Sequence, residues 1–227
     1  MEQIGTLAKI GEAFAGGGIW MYAILAVQIV SLAIIFERFM ALYVARRPNQ
    51  NRLSKNIESE IRRGNIDSAI SEADRLGRFN PIGIVALAGL NSAKTLGGRE
   101  EIQSKMDEIL IEENNRLEKR TGFLTMLGNV GTLLGLLGTI VGLIQAFSAV
   151  SDQDAMVKAA MLTKGISLAM NTTAYGLIMA IPALIMFAVL QNRARILSDD
   201  LNQGALRLYN SLSFGMDIVN PRKSRQK

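Results

Sequence analysis

The sequence predicts an all-α membrane protein with three transmembrane helices, the second and third extended into a cytoplasmic helical stalk. Three observations carry this. Residues 13–36, 121–151 and 165–192 contain no Asp, Glu, Lys or Arg, and each run exceeds the roughly 20 apolar residues that cross a hydrocarbon core of about 30 Å. The polar segments have apolar residues at three- and four-residue steps, and no alternating strand pattern competes. Composition agrees: of 227 residues 49% are hydrophobic and 6% aromatic, with 21 Gly and 11 Met, a mix suited to close-packed membrane helices rather than to a surface that stacks bases.

The chain has no Cys and no His. That excludes disulfide scaffolds, thiolate nucleophiles, imidazole bases and the usual zinc sites. A net charge of +5 is too small to indicate nucleic acid. No phosphate-binding loop, metal-ligand set or nucleophile with a base is present, so no catalytic residue, metal or cofactor is expected and the chain is not read as an enzyme. Glu100-Glu101 and Glu112-Glu113 read as solvated helix faces rather than acid–base pairs.

In chain order, residues 1–18 form an outer, periplasmic segment. Ile4, Leu7, Gly11 and Phe14 keep helical spacing before Gly16-Gly17-Gly18 interrupts, which fits either a short amphipathic helix on the interface or a loose tail. Residues 19–45 are the first span, with an apolar core at 19–36, and its cytoplasmic end. Glu2 and Glu12 accompany a single Lys9 ahead of it, so it does not read as a cleavable signal. Residues 46–120 form a cytoplasmic helical domain. There Gly64-Asn65 ends one helix, Asn80-Pro81 opens another, and Gly97-Gly98 closes it. From Arg99, the series Ile102, Met106, Ile109, Glu113, Leu117, Arg120, Leu124 predicts one helix of about 50 residues, rising about 75 Å and running into the second span. The second span takes residues 121–150, a short periplasmic loop 151–165, and the third span 166–192. Residues 193–227 are a helical extension through Leu197, Leu201 and Leu208, then a basic tail from Pro221 near anionic lipid head groups.

Orientation follows from charge. Fifteen Lys and Arg fall between the first and second spans and seven after the third, against Lys9 before the first and Lys158 and Lys164 between the second and third. Positive charge marks the cytoplasmic side, so the N-terminus is expected in the periplasm and the C-terminus in the cytoplasm.

In the second span Gly128, Gly131, Gly135, Gly138 and Gly142 are spaced three, four, three, four. In the third Ala169, Thr173, Gly176, Ala180 and Ala183 repeat the device. Small residues on one face let backbones approach where lipid supplies no hydrophobic drive. Both helices are therefore expected to pack against close partners, and bulk at Gly138 to break assembly. Thr132 and Thr139 lie one heptad apart on the edge of the glycine stripe, and Asn171, Thr172 and Thr173 cluster in the third span. Polar groups in hydrocarbon must face protein or water. A single threonine there usually bonds to its own helix or glues neighbours; several in register with small faces fit a pore wall. Pro182 removes the hydrogen bond to the Ile178 carbonyl and should kink the third span. No membrane core carries an ionisable residue. A chain that relays protons needs one, so either it conducts nothing or the group arrives on another polypeptide.

The ordered set Gly135-Leu136-Leu137-Gly138-Thr139-Ile140-Val141-Gly142, then Phe147, Gly165-Ile166-Ser167, Thr173-Ala174-Tyr175-Gly176-Leu177 and Ala180-Ile181-Pro182-Ala183 resembles the MotA/TolQ/ExbB family of proton-channel motor stators, most closely its three-span ExbB/TolQ branch. With topology the resemblance covers nearly the whole chain; the motifs cover the last two spans. It implies a bacterial inner-membrane homopentamer around the single membrane helices of a dimeric ExbD/TolR-like partner, whose membrane Asp takes and releases the ion while flow drives rotation. By motif position Thr139 and Thr173 match the family's pore-lining threonines, and Thr132 and Asn171 are further candidates for the ion path. The chain departs from the pattern at Leu168, where ExbB and TolQ commonly have Glu, and at Gly131-Thr132, where they have Ala-Pro. The missing Glu implies a branch other than the standard iron-uptake or Tol systems, such as a gliding or other envelope motor. The expected function is a ring-forming stator subunit of an ion-driven, proton-fed motor. The alternative is a non-conducting scaffold that assembles partners through its helices.

Overall fold

Every element of the computed structural model is a helix, and the described residues are 18–44, 50–77, 80–95, 98–148 and 155–219. The expected periplasmic segment before Gly18 and the basic tail from Pro221 lie outside them. The helices are α1 (Gly18–Phe39, continued as a wider π-helical turn Met40–Val44), α2 (Gln50–Arg62), α3 (Ile66–Gly77), α4 (Pro81–Lys94), α5 (Arg99–Glu118), α6 (Thr121–Ser148) and α7 (Ala155–Val219). Among the described residues there is no strand. Three stretches are long and apolar enough to cross a membrane: Gly18–Tyr43, Arg99–Ser148 and Met156–Phe214. The expected fold class therefore holds.

The contacts divide the chain into two units. One comprises residues up to Arg38 together with Arg120–Val189; the other is Phe39–Lys119 with the chain from Leu190 onward. The first unit is α1, α6 and the first part of α7. Its outward side chains are large and apolar, among them Ile19, Ile29, Phe36, Leu133, Ile144 and Ile178. Such exposure is unstable in water and neutral in lipid.

The second unit is a water-soluble type of core. Ile57, Ile82, Val85, Leu90, Ile102, Met106, Leu201, Leu208 and Leu212 are buried together, each contributing about 1.5–3 kcal/mol when fully covered. Gly64, at φ +80°, ends α2. Its N–H donates to the Ile61 carbonyl at 3.0 Å and that of Asn65 to the Glu60 carbonyl at 3.1 Å, satisfying carbonyls the helix leaves open. Asn80 precedes Pro81, which opens α4, where a missing N–H costs nothing. α4 ends at Lys94, before the Gly97-Gly98 pair expected to close it, with the Thr95 hydroxyl 3.1 Å from the carbonyl of Asn91. Gly98 instead serves as the N-cap of α5.

Two expectations need correction. The second span and its extension are two helices, α5 and α6, not one. Lys119 is extended, at φ −50° and ψ 132°, and Arg120 is left-handed at φ 63°. A left-handed residue is an ordinary helix stop, normally supplied by Gly. Here it is Arg, and its Nη1 lies 2.9 and 2.8 Å from the two carboxylate oxygens of Glu37 on α1. Apolar spacing continues through the break, which is why the pattern conceals it. The second correction concerns residues 151–165. α7 starts at Ala155, so most of the expected loop is helix. The apolar run marks only what fits in hydrocarbon, and nothing between Ala155 and Lys164 stops a helix. α7 also runs through Pro182 to Val219, burying Leu197, Leu201 and Leu208 completely.

Candidate functional site

α6 and α7 run antiparallel with their small residues face to face. A Cβ placed on Gly135 would come within 3.1 Å of the Thr172 carbonyl oxygen and 3.2 Å of the Thr173 Cα; on Gly138, within 2.8 Å of the Thr172 hydroxyl; on Gly142, within 2.9 Å of the Ala169 methyl. From the opposite helix, a Cβ on Gly176 would come 2.7 Å from the Gly131 carbonyl oxygen. Gly128 meets Leu184, 3.1 Å away on the same test. Real Cβ atoms do not tolerate the shortest of these approaches, so glycine is required for the helices to lie this close. Ala169, Ala180 and Ala183 are buried. The close partner of each stripe is thus the other stripe of the same chain. The expectation that bulk at Gly138 acts on assembly is corrected accordingly: the clash arises inside one protomer. The spacing identifies a contact face, but intrachain and interchain contacts use the same three- and four-residue steps.

This closeness brings Thr139 and Thr173 together. Thr139 Oγ1 is 3.1 Å from the carbonyl oxygen of Ala169 on α7, and Thr173 Oγ1 is 3.1 Å from that of Gly135 on α6. Each threonine reaches across to the carbonyl four residues before the other. The two hydroxyls also meet each other. Each oxygen has one proton and two lone pairs. One hydroxyl must therefore donate to the other, whose own proton goes to a carbonyl. The order can run either way, because both carbonyls are in reach; Thr139 also has the Gly135 carbonyl of its own helix at 3.1 Å. In either order acceptor lone pairs remain, and both side chains are only half-buried.

The other candidates fall elsewhere. Thr132 is exposed and bonds back to the Gly128 carbonyl at 3.1 Å. Asn171 is half-buried and precedes Thr173 by two residues, about 200° round the helix, so it does not join the pair. Pro182 is exposed within α7. Two residues that the sequence reading names without giving them a role of their own have one here. Thr172 is 2% exposed, its hydroxyl 2.7 Å from the Ala169 carbonyl, and it forms the wall against Gly138. Tyr175 donates its phenol to Gln28 Oε1 at 2.5 Å, tying α7 to α1. The signal for the second was present: an amide and a phenol in apolar runs each need a partner.

No cluster of three or more His, Cys, Asp or Glu arranged to hold a metal occurs among the described residues. Around the threonine pair the arrangement offers hydroxyls, carbonyls and apolar walls, with no charged residue between Arg120 and Asp152 or between Lys164 and Arg193. It can accept hydrogen bonds from water or a protonated acid, and it cannot itself titrate near neutrality.

An all-helical, multi-pass membrane protein is therefore defined, with a polar clasp inside a glycine-packed helix pair. The MotA/TolQ/ExbB proton channel family matches residues 78–203, more than half of the chain and the whole of that helix pair apart from the C-terminal end of α7. The chain belongs to this family. Comparison with curated proteins finds no match.

Proposed function

We propose that the chain is the ring-forming stator subunit of an ion-driven motor, of the three-span ExbB/TolQ type, in the bacterial inner membrane with its N-terminus in the periplasm. The observation that carries the reading is a paired hydroxyl site in the membrane helices of a proton-channel family member whose spans have no titratable group of their own. The ionisable group then comes from a partner: a single-span, ExbD/TolR-like protein whose membrane Asp sits inside a ring of five copies. Thr139 and Thr173 occupy the positions of the family's pore-lining threonines. Their free lone pairs accept a hydrogen bond from the protonated Asp or from entering water. To serve the empty carboxylate, which only accepts, the second hydroxyl turns its proton from the carbonyl to the Asp while the first keeps its bond to its neighbour. The proton is the ion proposed.

Replacement of Thr139 or Thr173 by Val tests this. The shapes are nearly equal, and each remaining hydroxyl keeps a carbonyl acceptor, so the cost in stability is about 0.5–1.5 kcal/mol and assembly survives. Ion flux and motor output should fall in each single variant and further in the double. Full activity in all three would remove the pore role.

One observation favours a second reading, a non-conducting scaffold: both hydroxyls already have partners within the protomer, as expected of structural glue. A scaffold predicts function that survives collapse of the ion gradient at constant ATP. The stator reading predicts its loss.

A further inference from the structure

At the end of the first unit where α1 and α7 begin and α6 finishes, a cavity of about 330 Å³ opens between the three helices. That is large enough for part of a small ligand. Gly138, Gly142, Gly165 and Ala169 supply its inner wall, and it reaches inward to Thr172. Its polar edge is made by Trp20, Gln145 and Lys164; among the described residues Lys164 is the one charged side chain in the lining. The rim is apolar and turned outward: Ile19 is 76% exposed and Met161 41%, and on the same stretch of α6 Ile144 and Phe147 are also exposed. An ammonium and an indole at the end of a membrane bundle are the residue types of the lipid head-group level.

We propose that this cavity binds one anionic phospholipid per protomer, its phosphate on Lys164 and Gln145 and its first methylenes along the glycine and alanine wall. Three features select that occupant. Lys164, the one charged side chain in the lining among the described residues, calls for an anion. The apolar wall calls for hydrocarbon behind it. The rim of exposed aliphatic side chains sets hydrocarbon beside the charge, which the acyl chains of a lipid use and a soluble anion does not. The site lies apart from the threonine pair, separated from it by Thr172, so occupancy props α1 against the α6–α7 pair without entering the ion path.

The test is lipid retention by the full-length protein reconstituted in vesicles of equal phosphatidylglycerol and phosphatidylcholine, extracted into a neutral detergent, and read by native mass spectrometry. Wild type should retain phosphatidylglycerol over phosphatidylcholine by about fivefold, the value of one lysine against a lipid of net negative charge, since the choline ammonium cancels the phosphate's charge in the other. Lys164→Gln should abolish the preference. Lys158→Gln, on the same helix but outside the lining, should keep it. Val141→Phe, which fills the inner wall, should lower retention of both lipids. Equal retention by wild type and Lys164→Gln overturns the proposal, as does equal loss in Lys158→Gln, which would reduce the effect to general surface charge. Displacement of the lipid by millimolar inorganic phosphate would overturn it too, by showing a site for a soluble anion.

Discussion

Arg120 is the only non-glycine residue with positive φ among those described, and it stands where α5 gives way to α6. A left-handed L-residue costs about 1–2 kcal/mol, so the position persists only because something else holds it. The packing of α5 and α6 on either side of this junction holds it, and the half-exposed pair with Glu37, which receives both Arg120 and Arg38 on its carboxylate, adds to that. The two contributions are separable. Arg120→Gly removes the ion pair and the backbone strain together; Arg120→Ala removes the pair and keeps the strain. Ala should therefore be the less stable variant by about 1 kcal/mol, read as a lower thermal midpoint in detergent. Equal midpoints would mean the left-handed turn is not maintained in solution. The same residue marks a limit of sequence reading. Thr139 and Thr173 were legible, because hydroxyls in apolar runs at small-residue faces need an explanation. Arg120 looked like one more step in a helical series, because the contact it makes at that turn is with a carboxylate 83 positions away.

At the scale of elements, the α6–α7 pair is the principal device. Glycine and alanine at three- and four-residue steps bring two backbones into contact, and the contact makes the threonine clasp. Gly138→Leu should push the helices apart against Thr172, a clash costing 1–3 kcal/mol or more. Because the contact is internal, protomer and oligomer should be lost together, seen as aggregation or a sharply lowered thermal midpoint. Gly122, in the first turn of the same helix, has nothing within 4 Å of an added Cβ, and Gly122→Leu should be tolerated. A folded Gly138→Leu protomer that merely fails to oligomerise would place the stripe between subunits. The stripes themselves were plain in the sequence, but whose partner each one is was not. Helix ends were similarly uneven. Pro81 and Gly64 announce their stops through backbone chemistry that travels with the residue. The start of α7 at Ala155 was hidden, because loss of hydropathy was read as loss of helix.

For the whole molecule, charge is the organising fact. The charge-free runs of the membrane helices carry hydroxyls, amides and glycines but no Asp, Glu, Lys, Arg or His, while the family they belong to is one of proton channels. Three spans followed from the charge-free runs, and the helices between them from the three- and four-residue apolar steps; a missing charge needs no structure to be seen. The proposed partner that would supply it is another chain, so it enters through family membership and chemistry rather than through contacts. The most direct test is native mass spectrometry of this chain coexpressed with a single-span protein that carries a membrane Asp, ideally one encoded beside it. A ring of five copies retaining two copies of that partner, with retention lost when the Asp-bearing helix is replaced, is the predicted result. A stable assembly of this chain that rejects such partners, in cells whose envelope function continues, would leave the ring without a titratable group and contradict the stator account.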